Sequence, residues 1–334
     1  MARDQPAYFI SRRSFCWTLA GLLAVPGMAI AQTSHVRIGL LRNGDRASGE
    51  PYIAVFKQEL SKFGYVEDQN LTLELRFADG KAELLPAFAE ELLRLGVNII
   101  VVADTPAALA SQKATRSIPI VFATAADPVG NGLVASLAHP GGNITGLSNI
   151  TSDISAKHVE LLAAAIQRLP LLATMINPQN PSHRLIVTSV QAACAQRGIR
   201  NRVFEADTAE KVTIAFQAMN EAGVKGVIVA IDSFFSQLRS QIIGLALKYK
   251  LPAIAAAPSW ADRGLLMSYG QDIAENWRRA AAYCDKILRG ARPGDLPVEQ
   301  STNLEFVVNL KAANTIGVSI PETLLLRANR IIRE

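Results

Sequence analysis

The chain has 334 residues, of which 49% are hydrophobic and 19% are charged, and its formal net charge is +5. This length is enough for two ordinary domains, and the apolar fraction is typical of a globular protein, so a disordered chain is excluded. Three cysteines are too few for a disulfide-stapled scaffold, and no Lys/Arg block of the kind that binds nucleic acid occurs.

The first 31 residues are predicted to be an export signal. Arg12 and Arg13 precede a short apolar run, and Ala29 and Ala31 form the small-x-small pattern that a signal peptidase needs. The string Ser-Arg-Arg-Ser-Phe at residues 11–15 also fits the twin-arginine signal, with an ordinary secretory signal as the alternative. We therefore expect cleavage after Ala31 and a mature protein in the periplasm, without stable membrane insertion.

Apolar strands and amphipathic helices alternate in the first part of the mature chain. The pattern predicts strands at residues 36–41, 71–77, 97–102 and 118–122, with helices at residues 52–63 and 82–95 and a third helix beginning at Pro106. Such βα alternation indicates a parallel sheet that is covered by helices on both faces.

The same alternation starts again after residue 150. Helices are predicted at residues 155–169, 182–197, 208–222 and 234–249, and strands at residues 173–177, 202–205, 226–231 and 252–257. The remaining tail, with a strand at 265–269, a helix at 273–288 and a strand at 306–309, is too short for a third domain. We therefore expect it to be shared between two lobes: residues 35–148 and about 263–295 in lobe I, and residues 149–262 and about 300–334 in lobe II.

Motifs for catalysis, metals and cofactors are absent from the sequence. No His-Glu-x-x-His, Gly-x-Ser-x-Gly, Walker A or Cys-x-x-Cys string occurs, and the four histidines lack metal-ligand spacing. Residues 130–135 match Gly-x-Gly-x-x-Ala, but they do not directly follow a strand, so a turn that opens a short helix at 133–138 is the better interpretation. We expect no metal and no cofactor, and we expect Cys194 and Cys284 to be buried free thiols rather than a disulfide.

Polar loops follow the predicted strands, and in open parallel sheets ligands bind at those carboxyl ends. Some residues of these loops are also suitable N-caps for the helices that follow: Asp104 or Thr105 before Pro106, and Asp232 or Ser233 before Phe234. Five such loops around one cleft favour a site for a small polar ligand. They are residues 42–45, 104–106, 124–128, 177–180 and 232–234.

Several longer strings carry a family resemblance. They include Pro-Ile-Val-Phe at 119–122, Asp-Pro-Val at 127–129, the run from Gly132 to Gly146, Leu-Met-Ser-Tyr-Gly at 266–270 and Leu-Pro-Val-Glu-Gln at 296–300. Over nearly all of residues 36–332 the chain resembles the ABC-transporter substrate-binding proteins whose best-known members bind tryptophan or tyrosine. The resemblance implies an α/β fold of the type I periplasmic-binding-protein class, with two doubly wound lobes, a hinge of about three crossovers and a ligand in the cleft. It also implies permease and ATPase partners encoded elsewhere.

The resemblance suggests which polar groups hold the ligand. Amino-acid binders of this fold grip their ligand with loop hydroxyls, backbone N–H groups and one acidic side chain, so by position Thr105 and Thr124 would hold a carboxylate and Asp232 an ammonium. Asp104 stands where many relatives have a small or amide residue, and it would favour a cation or amine if it faces the cleft. Phe234, Trp260 and Tyr269 are the candidate aromatic walls. The candidate ligand-binding residues are Asn43, Gly44, Asp104, Thr105, Thr124, Asp127, Asn149, Asn177, Asp232 and Tyr269.

The expected function is the periplasmic solute-binding component of an ABC importer. We expect a monomer, not an enzyme, that captures a small polar solute by hinge closure. The expected solutes are amino acids and related compounds, including aromatic ones. A ligand sensor of the same fold, whose closed state a receptor reads, is the alternative. A periplasmic enzyme that uses Asp127 or Asp232 is more remote, because no paired base and nucleophile is visible in the sequence.

Overall fold

The computed structural model describes residues 35–300 and 302–333. The predicted export signal lies outside these residues. Helices and strands are numbered along the chain. Across the described part of the chain, none of the helices has the length and apolar character needed to cross a membrane.

The first lobe is built on a six-stranded sheet in which every pairing is parallel. Its strands are β1 (Val36–Arg42), β2 (Leu71–Phe77), β3 (Ile99–Val102), β4 (Ile120–Ala126), β5 (Ile144–Asn149) and β11 (Glu299–Gln300). They lie in the order β11-β5-β4-β3-β1-β2. The helices of this lobe are α1 (Arg46–Lys62), α2 (Leu85–Arg94), α3 (Thr105–Ala114) and α10 (Ile273–Leu288).

The second lobe is built on a seven-stranded sheet. Its strands are β6 (Leu171–Ile176), β7 (Arg200–Glu205), β8 (Gly226–Val229), β9 (Ala253–Ala255), β10 (Met267–Gln271), β12 (Leu304–Asn309) and β13 (Arg330–Ile332). Their order is β13-β12-β10-β9-β8-β6-β7, and β10 with β12 is the antiparallel pair. The helices are α4 (Thr151–Ala165), α5 (His183–Ala195), α6 (Ala209–Glu221), α7 (Ser233–Gln237), α8 (Arg239–Lys248), α9 (Pro258–Asp262), α11 (Leu310–Ile316) and α12 (Glu322–Leu325).

Each sheet is buried on both faces, as the continuous apolar strands predict. In the first lobe, Ile38 and Leu40 pack on the face that α1 and α10 cover, whereas Leu41 packs on the opposite face under α2. This separation follows from the alternation of side chains along a strand. Phe56 of α1 meets Trp277 of α10 edge to face, with ring centroids 5.8 Å apart, so α10 is anchored in the first lobe.

The chain crosses between the lobes three times. The crossings lie between β5 and α4, between β10 and α10, and between β11 and β12. This confirms the expected α/β fold with two doubly wound lobes and about three crossovers.

Some sequence-based expectations differ from the structure. The strand predicted at 265–269 was expected in lobe I, but the corresponding β10 pairs with β9 and β12 in the second sheet. The five-residue helix α9 is long enough to return the chain to the same sheet, so the crossing comes after β10. The helix expected at 133–138 is replaced by turns, in which the Ala135 N–H donates to the Pro140 carbonyl and the His139 N–H to Ser136 Oγ. Cys194 and Cys284 are buried free thiols, as expected.

Candidate functional site

A cavity lies between the lobes, at the carboxyl ends of the strands of both sheets. Its unoccupied space is about 600 Å³, which includes open solvent at its mouth. The ends of β1, β3 and β4 and the helices α1 and α10 line it from the first lobe. The loop after β8 and the helices α7, α8 and α9 line it from the second lobe.

Asp104 lines this cavity and is also the N-cap of α3. Its carboxylate accepts hydrogen bonds from the Asn43 N–H at 2.9 Å and the Ala107 N–H at 3.0 Å. Burial raises the pKa of Asp104, while these two N–H groups, the charge of Arg42 and a hydrogen bond from Ser233 of the other lobe lower it. The carboxylate therefore faces the cavity with its oxygens already engaged by protein donors.

Thr105 and Thr124 also line the cavity, and their hydroxyls connect neighbouring strands. Thr124 Oγ1 donates to the Ala103 carbonyl, and Thr105 Oγ1 accepts from the Ala126 N–H at 3.1 Å. A hydroxyl has one donor and two acceptor positions, so Thr105 keeps its O–H donor, whereas Thr124 keeps only acceptor positions. Either group can therefore still bind a ligand.

Asp232 forms the opposite wall and caps α7. One carboxylate oxygen accepts from the backbone N–H groups of Phe234 and Phe235 and from Asn177 Nδ2, at 2.8, 3.4 and 3.4 Å. The other accepts from Asn180 Nδ2 at 2.8 Å. An ionised carboxylate has about four acceptor positions, two on each oxygen. In the acid that was expected to hold an ammonium, Oδ1 is therefore fully engaged by protein donors, whereas Oδ2 keeps one position beside Asn180.

Two arginines that are not among the candidate ligand-binding residues line the same cavity, although Arg42 belongs to the predicted cleft loop 42–45. Arg42, at the end of β1, is 4% exposed and donates from Nη2 to Ser48 Oγ at 3.2 Å. Arg239, the first residue of α8, is 8% exposed and its guanidinium lies 5.3 Å from the centre of the Trp260 ring. The Nε groups of both arginines have no hydrogen-bond partner among the described residues.

The electrostatic surroundings of Arg239 are unfavourable for its charge. Burial lowers the pKa of its guanidinium, and the positive charges of Arg263 and Arg42 lower it further. A hydrogen bond with Tyr52, which lies across the cavity on α1, acts in the opposite direction. Arg239 is therefore a buried cation, and the two nearby charged side chains that act on it, Arg263 and Arg42, are cations as well.

Aromatic side chains form the apolar part of the wall. Tyr52 stacks on Trp277 with ring centroids 6.4 Å apart and an interplanar angle of 13°, and Trp260 contributes from the second lobe. Of the expected aromatic walls, Trp260 alone lines the cavity. Phe234 instead packs against Gly80 of the first lobe, and Tyr269 packs against His158 and Phe306.

At Gly44 the two lobes come very close to each other. A Cβ atom at this position would lie 2.6 Å from the Ser233 carbonyl oxygen, which is a backbone atom of the opposite lobe. Only a residue without a side chain allows this approach. Gly44 therefore acts on the site through the contact between lobes.

Of the remaining candidates, some line the cavity and others lie outside it. Asn149 lines it. The backbone N–H of Asn43 donates a hydrogen bond to Asp104, and Asn177 Nδ2 donates one to Asp232. Asp127 lies away from it: this residue has a positive φ of 44°, its carboxylate accepts from the Gly130 N–H, and it borders a separate surface cavity. Tyr269 also lies outside the central cavity.

The sequence contains only a weak signal for the missed residues. Arg42 ends an otherwise apolar strand, and a charge in that position is a reason to expect a site at the strand end. Tyr52, Arg239 and Trp277 lie on helices, where periodicity does not reveal which positions meet the opposite lobe.

Residues 52–332 match the sequence model of a protein family that is described as "ABC transporter substrate binding protein". The chain belongs to this family. A tyrosine-binding protein of Clostridioides difficile is 24% identical over 261 residues, covering 76% of this chain and 73% of that protein.

Solved structures support the same fold. A conserved domain protein of Vibrio cholerae is 28% identical, with a TM-score of 0.84 over 89% of this chain and 100% of that chain. An ABC domain from Streptococcus pneumoniae in complex with L-Trp is 24% identical, with a TM-score of 0.82 over 90% of this chain and 100% of that chain. The chain therefore has the two-lobed fold of type I periplasmic binding proteins.

Proposed function

We propose that this substrate-binding protein is the exported, periplasmic component of an ABC importer and that it captures a small carboxylate-bearing solute, an amino acid or a close relative. One observation carries the proposal: the cavity at the carboxyl ends of both sheets is lined by polar and aromatic side chains from both lobes. The tyrosine-binding and L-Trp-bound relatives support this solute class.

Capture would proceed by closure of the two lobes around the solute. A solute that contacts Tyr52 and Thr105 of the first lobe together with Arg239 of the second gains all of these contacts only when the lobes are together. Its binding free energy therefore favours the closed state. A membrane permease and its ATPase would receive this closed form.

Export rests on the signal at residues 1–31, with the twin-arginine route as the proposed pathway. The mature protein would start at Gln32 and act as a monomer in the periplasm.

The test uses the mature chain, residues 32–334, unfolded and refolded to remove any carried solute. Thermal stability is measured with aromatic and branched amino acids, the corresponding carboxylic acids and amines, polyamines and dicarboxylates. A true ligand at about 100 times its Kd should add about 2.7 kcal/mol of stability, and X-ray scattering should show closure. If a folded protein gains no stability from any compound in the panel, the proposed function is wrong.

A further inference from the structure

The charged groups of the cavity divide unevenly between those that the protein satisfies and those that it does not. Asp104 accepts two backbone N–H groups and Asp232 accepts four donors in all. The buried guanidinium of Arg239, by contrast, forms no ion pair with a described residue, and its Nε lacks a partner among them. An ammonium would have to share carboxylates that already accept hydrogen bonds from protein donors, whereas the Arg239 guanidinium has no anionic partner among the described residues.

The cost of burying such a guanidinium indicates that a ligand completes the site. A buried charge without a counter-ion is unfavourable by several kcal/mol, and proteins normally pair or neutralise it. Arg42 and Arg263 increase this cost through repulsion. A carboxylate placed against Arg239 would relieve it, and the flat guanidinium fork suits a planar carboxylate.

We propose that the cavity selects an aromatic carboxylic acid by its anionic group alone, with Arg239 as the carboxylate anchor and no requirement for an α-ammonium group. The inference rests on the proposed function, because it specifies the ligand class of the same cavity. Tyr52 of the first lobe forms a hydrogen bond with Arg239 of the second lobe. A ligand carboxylate bound at Arg239 would therefore lie beside both lobes. Trp260 and the stacked pair Tyr52–Trp277 supply flat apolar surfaces for the ring.

The first test compares matched ligands that differ in one group. Calorimetric titrations use 3-(4-hydroxyphenyl)propanoate, tyrosine and tyramine, and then indole-3-propanoate, tryptophan and tryptamine. In at least one series the acid without the amine should bind at least as tightly as the amino acid, and the amine should bind at least a hundredfold more weakly. Amino acids that bind tenfold or more tightly than their deaminated acids would overturn the inference and leave the proposed function standing.

The second test changes the anchor. Arg239→Gln should weaken binding of the acid about ten- to hundredfold, the range expected for loss of charge-assisted hydrogen bonds, and Arg239→Lys should fall between this variant and the wild type. Arg200→Gln, an exposed arginine on β7 of the same lobe, should bind like the wild type. Without ligand, Arg239→Gln should melt at the wild-type temperature or above, because it removes an uncompensated buried charge.

Each failure has its own meaning. If Arg239→Gln folds and binds the acid as tightly as Arg200→Gln does, the anchor is wrong. If neither acid binds, the inference is wrong, and the wider panel then decides the proposed function separately.

Discussion

His158 is a buried histidine of α4 whose ring nitrogen Nε2 lies 2.7 Å from the Tyr269 carbonyl oxygen. Burial lowers its pKa to about 4, against the hydrogen bond to Tyr269, which raises it. The neutral ring with its proton on Nε2 suits this carbonyl acceptor. Protonation of the second nitrogen would place a charge in an apolar part of the second lobe, so His158 links folding to pH.

The first prediction concerns this linkage. Between pH 6.5 and 4 the unfolded chain binds a proton at His158 that the folded protein does not, so stability rises with pH through this window. The contribution is complete above about pH 6.5 and is lost as the pH falls to about 4, with a total of about 3 kcal/mol. In urea denaturation, the free energy of unfolding should fall between pH 7 and pH 4. For His158→Gln this fall should be smaller than for the wild type by about 3 kcal/mol.

The control is the exposed His139. His139→Gln should keep the wild-type dependence of unfolding free energy on pH. If the free energy of unfolding depends on pH in the same way in His158→Gln and His139→Gln, burial of His158 does not depress its pKa. The assignment then fails.

At the scale of secondary-structure elements, the N-terminal ends of two helices form part of the cavity wall. Asp104 begins α3 and Asp232 begins α7, and both face the space between the lobes. The same two carboxylates therefore hold the helix starts and shape the ligand site. Both carboxylates have partners within the protein, whereas Arg239 lacks an anionic one among the described residues, so the proposed preference of the cavity for an anion depends on Arg239.

The second prediction is that Asp232 is chiefly structural. Asp232→Asn places an NH₂ group either against Asn180 Nδ2 or against the Phe234 N–H, and both are donors. We expect the free energy of unfolding to fall by about 1–3 kcal/mol, the cost of an unsatisfied buried donor, as measured by urea denaturation of the ligand-free protein.

Asp127→Asn is the matched variant for this comparison. Asp127 Oδ1 accepts from the Gly130 N–H, and an asparagine oxygen can do the same at a positive φ, so stability should stay within about 0.5 kcal/mol. Unchanged stability of Asp232→Asn together with lost ligand binding would mean that the acid is reserved for a ligand ammonium.

The caps and the alternation of elements were readable from the sequence, because both are local. Asp104 before Pro106 and Asp232 before Phe234 have the cap chemistry that the structure confirms. The assignment of β10 and the inward direction of Arg239 were not readable. They depend on pairings between distant segments and on the break between α7 and α8 at Leu238, which interrupts one expected helix.

At the scale of the whole molecule, the cavity exists only because the lobes approach each other closely. Backbone meets backbone at Gly44 and Ser233, and Phe234 of the second lobe packs on Gly80, whose φ of +82° also favours glycine. The Gly80 N–H in turn donates to the Asn43 carbonyl at 2.6 Å. The segment that receives the second lobe is thus joined to the loop that holds Asp104.

The third prediction separates closure from folding. In Gly44→Ala the new methyl group would lie 2.6 Å from the Ser233 carbonyl oxygen, too close for any Cβ contact, and neither backbone can yield unless the lobes move apart. Within the first lobe the new methyl group would lie 3.1 Å from Arg42 Nε, a contact that a small shift of this side chain relieves, so most of the cost falls on the closed state. We expect Kd for the ligand to rise at least tenfold, about 1.4 kcal/mol, while the ligand-free melting temperature stays nearly constant.

Gly142→Ala provides the comparison within the same lobe, because a Cβ there meets no atom within 4 Å. X-ray scattering with saturating ligand should give a larger radius of gyration for Gly44→Ala than for Gly142→Ala, and calorimetry should give wild-type affinity for Gly142→Ala. Equal radii and equal affinities in the two variants would show that the contact between Gly44 and Ser233 is not part of the ligand-bound state. Closure would then have to bring the lobes together along a different line of contact.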